Sequence, residues 1–178
     1  MKIAILGFSG SGKSTLARKL GTRFSAPVLH MDCIHWLPDW QERPREEERA
    51  LLTSFLDENT DWVIDGNYSG VCLARRLQEA DLILLLKLPR LSCLFRVLKR
   101  YRTYRGRTRA SIGEGCPEKV DREFLFWVVW GGRTRKTRDR HRAILAEYGE
   151  KVRIIRNQRG LLRLEVEYGL PHGAILED

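Results

Sequence analysis

The sequence predicts an α/β protein, a parallel sheet of five strands covered by helices on both faces. Three observations carry that prediction. Short aliphatic runs alternate with helical patterns along the chain, as strand–helix–strand units require. The first run leads through a Gly-rich segment into a helix, the order of a phosphate-binding loop. The chain has 178 residues, 43% of them hydrophobic, which suits one domain with a sizeable core and no linker.

Each element has a local reason. Lys2–Leu6 is aliphatic and β-branched and ends at the glycines. In the helix that follows, Leu16, Ala17 and Leu20 form the apolar pattern, and Gly21 is read as its stop. Pro27–Met31 makes a second strand ending at Asp32. Pro44 opens a helix with Glu46, Glu47 and Glu48 in its first turn, where carboxylates meet the positive end of the helix dipole. Its apolar stripe is Leu51, Leu52, Phe55 and Leu56. Trp62–Ile64 is a third strand ending at Asp65, and Leu82–Leu88 a fourth closed by Pro89. A basic helical region then runs to about Arg109, followed by a Gly- and Pro-containing break over Ser111–Pro117. An apolar helix over Val120–Trp130 is expected to put Trp127 and Trp130 in the core. Arg138–Tyr148 is a further helix and Val152–Ile155 the fifth strand.

Charge separates one stretch from the rest. The chain carries 32 Lys+Arg and 23 Asp+Glu, a net charge of +9. Residues 90–142 alone hold 16 basic and 5 acidic side chains, a balance of +11, while the remainder holds 16 and 18. A surplus so localised points to a polyanion: a nucleotide, a nucleic acid or an acidic membrane surface. The longest apolar runs, Phe124–Trp130 and Leu82–Leu86, fall far short of the roughly 18 residues of a membrane span. The N-terminal run is too short for a signal peptide, so a cytoplasmic protein with no membrane partner is expected. Cys33, Cys72, Cys93 and Cys116 are widely separated, as are His30, His35, His141 and His172, and neither set has metal-ligand spacing. All eight are read as structural, the cysteines as reduced thiols.

Gly7-Phe8-Ser9-Gly10-Ser11-Gly12-Lys13-Ser14 fits the pattern G-x-x-x-x-G-K-[ST] between a strand and a helix. Glycines let the loop Gly7, Ser9, Gly10, Ser11, Gly12 turn consecutive N–H groups inward as a nest for phosphate oxygens. The helix beginning near Lys13 adds its positive end. Lys13 is placed to bridge the phosphates, Ser14 to supply a hydroxyl to Mg²⁺ and Thr15 to reach the α-phosphate. This is read as a site for ATP with Mg²⁺. Asp65, ending a strand on the loop side, has the form of a carboxylate that holds Mg²⁺ through water. Asp32 is placed to take a proton from an acceptor hydroxyl or to hydrogen-bond the acceptor. Arg96 and Arg100, four apart, project from one helix face, and Arg102, Arg105, Arg107 and Arg109 continue into a Gly-containing segment. Such a segment suits a lid that excludes water during phosphoryl transfer.

The loop, Asp32, the Asp65-Gly66 pair and the Arg96/Arg100 spacing resemble the adenylate-kinase-like branch of P-loop kinases. Several segments are more closely similar to the DNA topology modulation proteins (FlaR-like). They are His35-Trp36-Leu37-Pro38-Asp39-Trp40, Trp62-Val63-Ile64-Asp65-Gly66-Asn67-Tyr68-Ser69-Gly70, Arg105-Gly106-Arg107-Thr108-Arg109 and Gly115-Cys116-Pro117-Glu118. The resemblance runs from about Lys2 to Asn157. It implies a three-layer α/β/α sandwich with Asp65 on Mg²⁺, Arg96 near adenine and Arg100 on phosphate. It also implies one domain, 1–178, with residues 33–59 as an acceptor-binding insert and 90–142 as a basic helical lid region. One departure stands out: adenylate kinases follow Asp-Gly with Phe-Pro-Arg, whose arginine holds the acceptor monophosphate. Here Asn67 and Tyr68 follow, with Arg75 or Arg76 as candidates to replace the arginine. Trp36 and Trp40 fit either a stacking surface for an acceptor ring or the core of a small subdomain.

The leading expectation is a Mg²⁺- and ATP-dependent phosphotransferase acting on a small molecule: a nucleotide, a nucleoside or a hydroxylated metabolite. Two alternatives share its features: a 5′-hydroxyl polynucleotide kinase, and a nucleotide-gated nucleic-acid-binding protein whose surface is residues 90–142. The direction of the arginines separates them, inward for a lid and outward for a nucleic-acid face.

Overall fold

The computed structural model describes residues 1–106 and 108–171, so Arg107 and His172 lie outside the described residues. In chain order the elements begin with β1 (Lys2–Gly7), α1 (Lys13–Phe24), β2 (Val28–His30), α2 (Met31–His35) and β3 (Trp36–Leu37). A 3₁₀ turn (Pro38–Trp40), β4 (Gln41–Glu42), α3 (Arg45–Glu58), β5 (Trp62–Asp65), α4 (Leu73–Glu79) and β6 (Leu82–Leu86) follow. The chain continues with α5 (Arg90–Tyr104), α6 (Arg122–Val129), α7 (Arg135–Tyr148), β7 (Val152–Ile155) and α8 (Gln158–Glu167). Five strands form one parallel sheet in the order β2-β5-β1-β6-β7, and β3 pairs with β4 in a small antiparallel hairpin. From central β1 the chain leaves to one side for β2 and β5 and to the other for β6 and β7. The C-terminal end of β1 therefore opens at the point where strand order reverses, where ligands gather in open sheets.

Alternate strand residues face opposite layers. Ile3, Ile5, Val63, Leu82, Leu84 and Leu86 pack with Leu16 and Leu20 of α1, Val97 of α5, Val128 of α6 and Leu164 of α8. Ala4, Leu6, Ile64, Ile83 and Leu85 pack with Leu52 and Leu56 of α3, Leu77 of α4 and Ile144 of α7. This is the expected three-layer α/β/α sandwich. Strands buried on both faces read as continuous aliphatic runs, which is why Leu82–Leu86 shows no alternation. Among the described residues no helix is long and apolar enough to cross a membrane.

The structure corrects several expectations. Gly21 does not stop α1; the helix continues to Phe24 and Ser25 closes it in a left-handed conformation. Gly21 is instead a packing position, since a Cβ there would stand 2.2 Å from Val28 Cγ2. The basic helix ends at Tyr104, just before Gly106 at φ +73°. The apolar helix starts at Arg122 because the Asp121 carboxylate accepts from Phe124 N–H at 2.8 Å as an N-cap. Trp127 and Trp130 are not core residues: they are 54% and 55% exposed. Helices α2 and α8 and the hairpin were not anticipated.

After α5 the chain folds back onto the hairpin. Cys33 Sγ donates to the Ala110 carbonyl (3.5 Å), Asp39 N–H to Gly115 O (3.3 Å) and Cys116 Sγ to Leu37 O (3.2 Å). The approach is so close that a Cβ on Gly113 would stand 2.1 Å from the Trp36 carbonyl oxygen. Residues 109–118 thus lie across the segment between β2 and β5.

Candidate active site

The loop between β1 and α1 is shaped by three glycines with positive φ, Gly7 (147°), Gly10 (74°) and Gly12 (93°). Gly7 and Gly10 have no room for a side chain: a Cβ on Gly7 would meet Leu86 O at 2.3 Å and one on Gly10 would meet Cys93 O at 2.6 Å, whereas one on Gly12 would meet only the end of the Arg96 side chain at 2.9 Å. Helix α1 begins at Lys13 with no side-chain cap and no acidic residue in its first turn, so its N-terminal N–H groups are offered to an anion. Phe8 fixes the loop from behind. The Arg133 guanidinium lies 3.9 Å over its ring, while the His141 ring tilts against it at 5.6 Å. Burial, with Lys87 and Arg140 nearby, pushes His141 down to about 4, so this ring is neutral at pH 7.

Lys13 Nζ reaches across the loop to the Phe8 carbonyl at 3.2 Å. Burial lowers its pKa, opposed by the carboxylates of Asp65 and Asp32. The expected metal pair meets directly: Ser14 Oγ donates to Asp65 Oδ2 at 2.8 Å. The other Asp65 oxygen accepts from His30 Nδ1, so a histidine read as structural supports the carboxylate expected to hold Mg²⁺. Among the described residues no three His, Cys, Asp or Glu side chains converge as a metal cage. A phosphate-bound Mg²⁺ needs only one or two carboxylates, and Ser14 with Asp65 fits that requirement.

The segment after β5 ties the site together. Gly66, at φ +133°, packs where a Cβ would stand 2.5 Å from Met31 Cβ. The Asn67 carboxamide clamps the first glycine of the loop: its Oδ1 accepts from Gly7 N–H at 3.0 Å and its Nδ2 donates to Gly7 O at 2.8 Å. Tyr68 donates its hydroxyl to Asp32 Oδ1 at 2.5 Å, and burial followed by the nearby Asp32 carboxylate raises the phenol pKa. Asp32 therefore faces the site from the first turn of α2, one element later than expected. Sequence reasoning registered Asn67 and Tyr68 only as replacements for an arginine and missed what they hold.

Arg75 and Arg76 do not supply that arginine. Arg75 pairs with Asp57 (2.5 Å) and Glu79 (2.6 Å). Arg76 is 1% exposed and donates to the carbonyls of Gly66 (3.2 Å) and Tyr68 (3.0 Å), bracing the loop from inside. Burial pushes its pKa down to about 10.

Two of the basic helix's arginines reach the loop side. Arg96 donates to the Ser11 carbonyl at 2.8 Å and also to Gln158 of α8. Arg100 lies close enough to Lys13 and Asp32 to perturb or be perturbed electrostatically, and burial lowers its pKa. The buried Glu118 carboxylate holds Arg100 Nε at 2.7 Å and Arg109 Nε at 2.6 Å. Arg102 and Arg105 are exposed. Trp36 sits edge-on to both Trp40 (5.6 Å) and His35 (4.6 Å), and His35 lies 4.5 Å from Tyr68. This aromatic group adjoins Asp32 through Tyr68.

Strand order and flanking helices define an α/β protein whose glycine loop joins the central strand to a helix. No established protein-family profile matches the chain. It belongs to the same family as the uncharacterized protein YqaC of Bacillus subtilis (strain 168), being 31% identical to it over 128 residues, 71% of this chain and 70% of that protein. It shares its fold with TT1252 from Thermus thermophilus, at TM-score 0.53 and 18% identity over 94% of this chain and 97% of that one. A "putative kinase" from Chloroflexus aurantiacus aligns more loosely, at TM-score 0.47 and 16% identity over 73% and 78% of the two chains.

Proposed function

We propose that the chain is a Mg²⁺-dependent phosphotransferase that moves the γ-phosphoryl group of ATP to a hydroxyl of a small molecule. The observation that carries this reading is the 2.8 Å contact of Ser14 Oγ with Asp65 Oδ2 beside an uncapped helix N-terminus and Lys13. Ser14 and Asp65 are the residues that would hold Mg²⁺, whose role is to neutralise charge on the phosphates. Lys13 and the α1 N-terminus meet the β- and γ-phosphates, while Arg96 and Arg100 face them from α5. Phosphoryl transfer is chiefly positioning and electrostatics, and these residues supply both. Asp32 orients the acceptor hydroxyl and takes its proton as the new O–P bond forms and the β–γ bridging bond breaks.

The acceptor class follows from the side chains around Asp32. Tyr68, His35 and Trp36 stand there, and Arg75 and Arg76 are engaged elsewhere. A nucleoside or hydroxylated metabolite fits that surface better than a monophosphate. The FlaR-like resemblance supports the same site, because Asp65–Gly70 carries both the resemblance and the contacts to Ser14, Gly7 and Asp32. Residues 109–118, lying on the insert 33–59, act in this reading as the closed lid.

Transfer of label from ATP to nucleosides, nucleotides, sugars and 5′-hydroxyl oligonucleotides, with water as control, tests the proposal. Asp32→Asn is expected to lower kcat by about a hundredfold while MgATP affinity stays unchanged. Equal rates in mutant and wild type would remove Asp32 from the reaction. Transfer to oligonucleotides alone would identify a polynucleotide kinase, and release to water alone an ATPase.

A further inference from the structure

Over Phe124–Val129 helix α6 is apolar on every side, its charged residues Arg122 and Glu123 standing in the first turn. Val128 faces the core at 1% exposure, yet Phe126 is 60% exposed, Trp127 54% and Trp130, one residue past the helix, 55%. On neighbouring α5, Leu91 and Phe95 are 65% and 67% exposed. Every exposed Phe or Trp among the described residues belongs to this pair of helices. A surface helix ordinarily turns a polar face outward, and a cluster of large apolar side chains marks a contact surface where a single one would not.

Basic side chains border the cluster. Leu91, Phe95, Lys99 and Arg102 follow one another at helical spacing along the outer face of α5, all exposed. Arg90 adjoins Leu91, Arg122 precedes Phe126 by one turn, and Arg135, Lys136 and Arg138 are exposed beyond Trp130. None of these residues serves the phosphate loop.

We infer that this face is a peripheral docking surface for an anionic phospholipid membrane. Leu91, Phe95, Phe126, Trp127 and Trp130 enter the boundary between headgroups and acyl chains, and the basic side chains lie among the phosphates. A second copy of the chain is a poorer occupant, because a two-fold contact sets basic rim against basic rim. Nucleic acid is also poorer, since base stacking needs open ring faces. Phe126 is stacked on Trp130 at 28° and 5.5 Å, and the Trp127 indole lies so close to Gly131 that a Cβ there would stand 2.9 Å from its Cε3. The expectation of no membrane partner came from apolar runs too short to span a bilayer, and a surface contact needs no span.

Flotation of the full chain with vesicles, read together with tryptophan emission, tests the inference. Equimolar phosphatidylcholine/phosphatidylglycerol vesicles are expected to bind it at least about tenfold more strongly than pure phosphatidylcholine, with a blue shift and a loss of binding as salt rises. Phe126→Gln with Trp130→Gln is expected to abolish binding and leave MgATP affinity unchanged. Should that variant fail to fold, Leu91→Gln with Phe95→Gln and, separately, Lys99→Glu with Arg102→Glu give the same readout from α5. Wild type that stays unbound in the presence of anionic vesicles would overturn the inference. So would binding unaffected by these substitutions, or dimerisation or oligonucleotide binding through the same residues without vesicle binding.

Discussion

Asn67 fastens the glycine loop to the sheet. Its carboxamide satisfies both backbone groups of Gly7, where the chain leaves β1 at positive φ. Truncation leaves a donor and an acceptor without their partner, at about 1–3 kcal/mol for each buried group. Asn67→Ala is therefore expected to lower the unfolding free energy by about 2 kcal/mol and to weaken MgATP binding. Urea denaturation and titration calorimetry read the two effects, and wild-type values in both would show that the clamp is idle. The glycine-shaped turn between β1 and α1 was legible from its own spacing, which is a local property. The jobs of Asn67, Tyr68 and His30 were not, because each depends on a partner 60, 36 or 35 residues away. Arg76 was illegible for the same reason: burial of an arginine against two carbonyls leaves no mark in the pattern.

At the scale of elements, the contact of 109–118 with the hairpin decides how the acceptor side opens. Gly113 is the tightest point, and Gly113→Ala is expected to part the two segments without unfolding the sheet. Hydrogen exchange then rises together in residues 110–116 and 33–39 while β1 and β6 stay protected. Exchange unchanged in both segments would mean that the contact is not what holds them. The five strands and helices α1 and α3 could be read because aliphatic runs and an amphipathic stripe are written in consecutive residues. Helix α8 was missed although its Asn157 cap and its buried Leu161 and Leu164 are local features; the Lys19–Glu165 pair (2.5 Å) and Arg96 on Gln158, which fix its place, are long-range contacts. For α6 the uniform apolar run suggested burial, but an eight-residue helix can bury only one side, and Trp127 and Trp130 ended outside.

Across the whole molecule, the net charge of +9 is a nearly neutral α/β scaffold carrying the basic stretch 90–142 between its last two sheet strands. The structure divides that stretch by direction. Arg96 and Arg100 reach the loop side, Arg109 and Arg133 brace Glu118 and Phe8, and most of the remainder face solvent around the α5–α6 rings. One basic segment thus turns arginines toward the glycine loop on one side and presents a charged, apolar face on the other. The central claim is that Gly7–Ser14 and Asp65 form a working MgATP site, and calorimetric titration of MgATP into wild type and Lys13→Ala tests it most directly. Wild type is expected to bind one MgATP, and Lys13→Ala to bind it about a hundredfold more weakly, the loss of two charge-assisted contacts. Wild type that takes up no MgATP, or a Lys13→Ala variant that binds it equally well, would contradict the account.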